Sequence, residues 1–173
     1  MAFLKNEFYH IYNQGNNKVK IFYTNDNYLY FLSKVRELIK PHCDILAYCL
    51  MPNHYHFLVV TNEKSVKLKK VGSLELTELS NGIRILTSSY AQALNKKLGN
   101  TGALFRPKTK HKIIEYEQNG YLQTAFDYIH KNPIASGLVE ELKHWPYSSY
   151  LDFAGFRNGT LCNIELAKKY IEF

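Results

Sequence analysis

The sequence predicts a single mixed domain of α/β or α+β class, one sheet layered with two or more helices. Three observations carry this. A chain of 173 residues amounts to one domain and buries roughly 70% of its unfolded surface without a disulfide or metal. Strand-like runs alternate with runs of helical period. No internal repeat, low-complexity tract or linker separates them, so residues 1–173 read as one unit.

Taken in order, residues 7–13 are aromatic-rich and partly alternating, which predicts a strand. The Gly- and Asn-rich residues 14–18 form the loop after it. Asp26 is placed to cap a helix over residues 27–40, with Tyr28, Phe31, Leu32, Val35 and Leu38 as its buried stripe and Pro41 as its stop. Residues 45–50 and 55–61 are apolar runs of strand length, separated by Met51-Pro52-Asn53, and predict a hairpin. Residues 62–81 are polar and Lys-bearing, a surface segment that is mobile or holds a short helix. Ile83, Leu86, Tyr90 and Leu94 have helical spacing, with Gly99 at the C-terminal cap. Residues 102–105 and 112–114 are candidate strands around a basic stretch. Residues 117–132 form a helix ended by Pro133, and a last helix is expected over 164–173.

Lys and Arg number 22 against 15 Asp and Glu, a net charge of +7. That excess points to a polyanionic partner. Three cysteines without a C-x-x-C pair exclude a disulfide framework and a Cys-rich zinc site, and fit a reducing cytoplasm. The first residues lack a signal-peptide apolar run, and no stretch has about 18 uninterrupted apolar residues. Nucleic acid is therefore favoured over membrane as the polyanion.

Two places carry candidate chemistry. His54 and His56 stand two apart on a strand, so both imidazoles face one side. Such a pair begins a metal site, and it equally fits two hydrogen-bonded histidines. On the helix over 117–132, Leu122, Phe126 and Ile129 make one apolar stripe. Tyr121, Ala125, Tyr128 and Asn132 make a second, about 90° round the cylinder. Tyr128 and Asn132, four apart, are neighbours there. A phenol is a weak nucleophile at neutral pH. Its attack on a phosphodiester becomes feasible when a divalent metal polarises and aligns the phosphate.

At these residues the sequence resembles a known family. Met51-Pro52-Asn53-His54-Tyr55-His56-Phe57-Leu58-Val59 resembles the HUH motif of single-tyrosine transposases, particularly the REP-associated tyrosine transposases. Four further stretches resemble theirs in the same order. They are His10 to Gly15 with Asn17-Lys18; Gly102 to Arg106 with Lys110; Asp127-Tyr128-Ile129-His130-Lys131-Asn132-Pro133 with Gly137-Leu138-Val139; and Trp145-Pro146-Tyr147-Ser148-Ser149. The resemblance covers residues 7–150, leaving 151–173 as a packing segment.

The resemblance implies a ferredoxin-like antiparallel sheet with helices packed on one face and the HUH motif on a central strand. It implies His54, His56 and Asn132 as ligands of Mg²⁺ or Mn²⁺. Tyr128 would be the nucleophile that joins to a 5′ phosphate of single-stranded DNA beside a hairpin. No nucleotide cofactor is needed, because the phosphotyrosine bond conserves the energy. Family members act as homodimers or as monomers. Two positions depart from the family pattern. Tyr55 replaces a smaller or aliphatic residue and is expected to face away from the metal, and Gln14 replaces an Arg of the first loop. Lys18, Arg106, Lys108, Lys110, His111 and Lys112 are the candidate DNA contacts, the alternative being a solvated basic surface. His130 is expected to be structural, and His10 faces either the site or the core. Two other functions fit the same motifs: a hairpin-binding regulator that no longer transposes, and a nickase like the replication initiators.

Overall fold

The computed structural model describes residues 3–116 and 120–173. Its elements are β1 (Phe8–Gln14), α1 (Asn25–Leu38), β2 (Cys43–Met51), β3 (His54–Thr61), α2 (Glu63–Val66), β4 (Leu68–Val71), β5 (Leu74–Thr77), α3 (Glu78–Leu98), β6 (Lys110–Ile114), α4 (Tyr121–Ala135), α5 (Tyr150–Phe153) and α6 (Ile164–Ala167). The main sheet has the order β2-β3-β1-β6, and every pairing in it is antiparallel. With α1 and α3 as crossovers, this is the ferredoxin-like arrangement. β3, which carries the histidine pair, is an inner strand.

Strand alternation divides the interior in two. Tyr9 and Ile11 of β1 and Tyr55, Phe57 and Val59 of β3 join Phe31 and Val35 of α1 and Ile83, Leu86 and Tyr90 of α3 in one core. Phe8 of β1 and Leu58 of β3 face the other way and meet Leu122, Phe126 and Ile129 of α4. β2 has apolar side chains on both faces, and a bulge between Ile45 and Ala47 interrupts its pairing with β3. The α1–α3 pair covers one face, as expected. The opposite face is covered too, by α4, so the helices are not confined to one side. The reason lies in the composition of the strands: both faces are apolar, and both must be shielded from water.

Several local expectations are revised. Helix α1 is capped by Thr24 rather than Asp26, and Asn27 turns back to accept hydrogen bonds from the Tyr23 and Thr24 N–H groups at 3.0 and 3.2 Å. Asp26 lies inside the first turn, where a carboxylate suits the helix dipole. Residues 62–81 hold α2, the hairpin β4–β5 turning at Gly72, and the first residues of α3. That hairpin is mostly exposed, so it lacks the half-buried alternation that marks a strand in sequence. Gly82 lies inside α3 because a Cβ there would collide with the Leu38 carbonyl of α1. Residues 102–105 contribute an isolated bridge, Gly15 to Phe105, instead of a strand. The helix expected to end before Pro133 continues to Ala135. A proline so near the end removes one ladder bond, and Gly137 (φ 65°) closes the helix with Leu138 N–H bonded to Pro133 O at 2.9 Å. Residues 117–119 of the expected helix lie outside the described residues. Only Ile164–Ala167 of the last expected helix is helical.

The Trp145–Ser149 stretch lies along the outer edge of β2. Leu50 N–H bonds Tyr147 O at 2.9 Å, Ser149 N–H bonds Tyr48 O at 3.0 Å, and the Trp145 indole N–H bonds Leu50 O at 3.0 Å. The edge strand is thereby protected. The Ser149 hydroxyl also accepts from Tyr48 N–H at 2.9 Å and sits 2.7 Å from Nε2 of buried His130 on α4. As expected, His130 is structural: it ties α4 to the strand edge. Ser149→Ala leaves both partners unpaired in the interior, so denaturant unfolding is expected to show a loss of about 1–3 kcal/mol.

Candidate active site

His54 and His56 project from β3 on the face toward α4, while Tyr55 between them is fully buried against Phe31, Phe57 and Phe105. The larger middle residue thus packs in the α1–α3 core, as expected. The register sets Gln14 opposite His54, Tyr12 opposite His56, and His10 opposite Leu58. His10 is therefore the diagonal neighbour of His56, and its Nε2 lies 2.8 Å from His56 Nδ1. The rings of Tyr12 and His10 lie 4.8 Å apart, and Tyr12 also flanks His56 at 5.8 Å.

Helix α4 crosses above this group. The ring of Tyr128 stands edge-on to His56 at 5.6 Å and to His10 at 6.1 Å between centroids. Tyr128 is 53% exposed, with its ring on the wall of an open cleft of about 710 Å³. His10, Tyr12, His56, Lys112 and Tyr121 share that wall. One turn beyond Tyr128, buried Asn132 donates from Nδ2 to Tyr128 O at 2.8 Å. Its amide is near enough to His54 to raise that imidazole's pKa slightly against the lowering by burial. The structure therefore brings Tyr128, His54, His56 and Asn132 into one seam between sheet and helix.

Each imidazole has one nitrogen engaged. His54 Nδ1 donates to Asn53 Oδ1 at 2.6 Å, since an amide oxygen only accepts. His56 uses Nδ1 toward His10, and its Nε2 is buried with no hydrogen-bond partner among the described residues. A buried nitrogen left bare in this way is the feature expected of a ligand atom. No group of three His, Cys, Asp or Glu side chains suited to a metal occurs among the described residues. The donor set offered is two imidazoles and one amide, which leaves coordination positions for phosphate oxygens and water. The residues fit a divalent ion on these grounds.

Burial keeps the histidines neutral. It is the first cause for all three, holding His54 below its ordinary value, His56 well below it, and His10 down at about 4, where Lys112 adds to the effect. Their lone pairs are thus available at neutral pH.

The basic residues divide. Arg106, Lys108 and Lys110 line a second cleft of about 550 Å³ with Gln14, and Tyr12 is common to both clefts. Asn13 anchors this stretch through Nδ2, bonded to Thr109 Oγ1 at 3.0 Å and Arg106 O at 3.3 Å. Lys112 lies in the first cleft. Lys18 is exposed on the neighbouring loop at positive φ (61°), with its carbonyl facing Asn53 Nδ2. His111 is not brought to either cleft. It sits on the other face of β6, against Phe3 and Tyr9, because adjacent strand residues point to opposite sides. Tyr116 packs on Phe8 and Tyr170. His10, left open between site and core by the sequence, faces the site, and Tyr12 and Asn53, which lie in the quoted motifs without an assigned role, join it. Period two puts His10 and Tyr12 on one face, but only the pairing with β3 says which face.

The depressed values of His10 and His130, both about 4 and both due first to burial, make stability depend on pH. Unfolded, each titrates near 6.5. Their contribution is complete above about pH 6.5 and is lost as pH falls through 6.5 toward 4. Urea midpoints are expected to fall steadily across that window in the wild type and less steeply in His10→Gln.

No family model matches the chain. A Haemophilus influenzae protein assigned to the REP-associated tyrosine transposases is 26% identical in a 128-residue alignment, with 69% of this chain and 69% of that protein covered. A solved structure of a REP-associated tyrosine transposase bound to a REP hairpin superposes with a TM-score of 0.67 at 18% identity, covering 95% of this chain and 87% of its own. No helix among the described residues is long and apolar enough to cross a membrane. In sequence and in fold alike, the chain is similar to the REP-associated tyrosine transposases.

Proposed function

We propose that this chain is a metal-dependent DNA strand transferase that cuts and rejoins single-stranded DNA beside a hairpin. One observation carries the reading: the Tyr128 ring packs against His56, whose buried Nε2 has no hydrogen-bond partner among the described residues. The similarity to REP-associated tyrosine transposases, one of them solved on a REP hairpin, supports the substrate class.

His54, His56 and Asn132 would hold Mg²⁺ or Mn²⁺. When bound, the ion supplies Lewis-acid polarisation of the scissile phosphate. The Tyr128 oxygen attacks the phosphorus and the bond to the 3′ oxygen breaks. The products are a 5′-phosphotyrosine and a free 3′ hydroxyl. In the reverse sense, a 3′ hydroxyl attacks the phosphotyrosine, the P–O bond to Tyr128 breaks, and a phosphodiester is restored. No nucleotide is consumed. Tyr128, His54, His56 and Asn132 belong to the same seam of one chain, which supports a site complete in the monomer. Arg106, Lys108, Lys110 and Lys112 continue the cleft as a positive track for the strand, with Tyr12 between the two halves as a face on which a base stacks. Such an enzyme works in the cytoplasm, at the nucleoid.

The test is a covalent-adduct assay. Purified protein is mixed with labelled hairpin DNAs from the flanks of its own gene, with Mn²⁺ or EDTA, and run on a denaturing gel. A metal-dependent adduct is expected for the wild type and none for Tyr128→Phe, with hairpin binding retained in both. Adduct formation by Tyr128→Phe would shift the nucleophile to Tyr121. Binding without any adduct would favour the regulator reading. In a salt titration of hairpin affinity, Arg106→Ala and Lys110→Ala are each expected to reduce the log–log slope by about 1. His111→Ala is expected to leave it unchanged.

A further inference from the structure

Resting on the reading of His54 and His56 as metal ligands, we propose that His10 is a positioning residue: it accepts the Nδ1 proton of His56 and fixes the tautomer whose Nε2 lone pair faces the metal position. A neutral imidazole has one donor and one acceptor nitrogen. The 2.8 Å contact joins His10 Nε2 to His56 Nδ1, so one of the two donates. Were His56 Nδ1 the acceptor, the His56 proton would sit on Nε2, a buried atom with no partner among the described residues. An orphaned buried N–H is the costly arrangement. With Nδ1 as donor, Nε2 is a bare lone pair that a cation can use.

His54 supplies an internal parallel. Its Nδ1 faces Asn53 Oδ1 at 2.6 Å, and the Asn53 amide is oriented by Nδ2 facing Lys18 O at 3.4 Å. An amide oxygen cannot donate, so His54 also carries its proton on Nδ1 and keeps an unprotonated Nε2. The two imidazoles are thus held in the same tautomer by different partners, one an amide from the adjacent residue and one a histidine from the next strand. Outer partners of this kind set both the orientation and the basicity of a ligating histidine. Tyr12 beside the His10 ring and Tyr128 edge-on to it restrict its rotation.

Two readouts test this in wild type, His10→Phe and His10→Gln. Ring ¹⁵N spectra of the metal-free protein report which His56 nitrogen carries the proton. Calorimetry reports Mn²⁺ affinity in the absence of DNA. The expected result is an Nδ1-protonated His56 in the wild type. His10→Phe should bind Mn²⁺ about 10- to 100-fold more weakly, and His10→Gln, whose amide oxygen accepts the same proton, should stay within about threefold of wild type. An Nε2-protonated His56 in the wild type overturns the proposal, and this measurement decides it even if His10→Phe does not fold. Mn²⁺ uptake unaffected by His10→Phe overturns the role of His10 alone. No Mn²⁺ uptake by the wild type overturns the metal reading on which it rests.

Discussion

The position of α4 over the sheet depends on a hydrogen bond behind the cleft. His130, buried on α4, meets the Ser149 hydroxyl at 2.7 Å, and Ser149 is itself bonded to the backbone of β2 through Tyr48. Three elements are locked by this contact: the helix carrying Tyr128 and Asn132, the edge strand of the sheet, and the Trp145–Ser149 segment that covers that edge. Leu122, Phe126 and Ile129 supply the burial energy that presses α4 onto the sheet. Burial is non-directional, so apolar contact alone would tolerate sliding along the strands. The polar clamp fixes the translation, and with it the alignment of Tyr128 over His56.

The second dependence runs through β3. Its alternation sends Tyr55, Phe57 and Val59 into one core and His54, His56 and Leu58 toward the other. Slipping the register by one residue would bury the histidines among the aromatics of α1 and α3 and turn Tyr55 toward the cleft. Tyr55 therefore makes the wrong register costly, because a slip would take its fully buried ring out of the α1–α3 core. The departure from the usual motif residue anchors the strand without entering the site.

Electrostatically, the site is a neutral pocket rimmed by cations. Burial dominates the three imidazoles and keeps them uncharged, with Lys112 adding to the effect only at His10. The positive charge sits outside, on Arg106, Lys108, Lys110 and Lys112 along the two clefts. A polyanion is attracted over a long range to the rim, while the interior offers lone pairs.

Much of this was legible in the chain itself. Period two placed His54 and His56 on one face, and period 3.6 placed Tyr128 beside Asn132. The strand runs of β1, β2 and β3 and the stripes of α1, α3 and α4 were visible because each has one face buried and one exposed, or two faces buried. The exposed β4–β5 hairpin was invisible for the converse reason. Pro133 misled because a proline stops a helix by a local rule that costs little in the last turn. What only the tertiary structure decided was juxtaposition. His10 joined the site and His111 left it through strand register, a relation between segments about 45 residues apart or more that no local pattern encodes. The sequence determined which side chains share a face; packing of that face against α4 decided which of them meet.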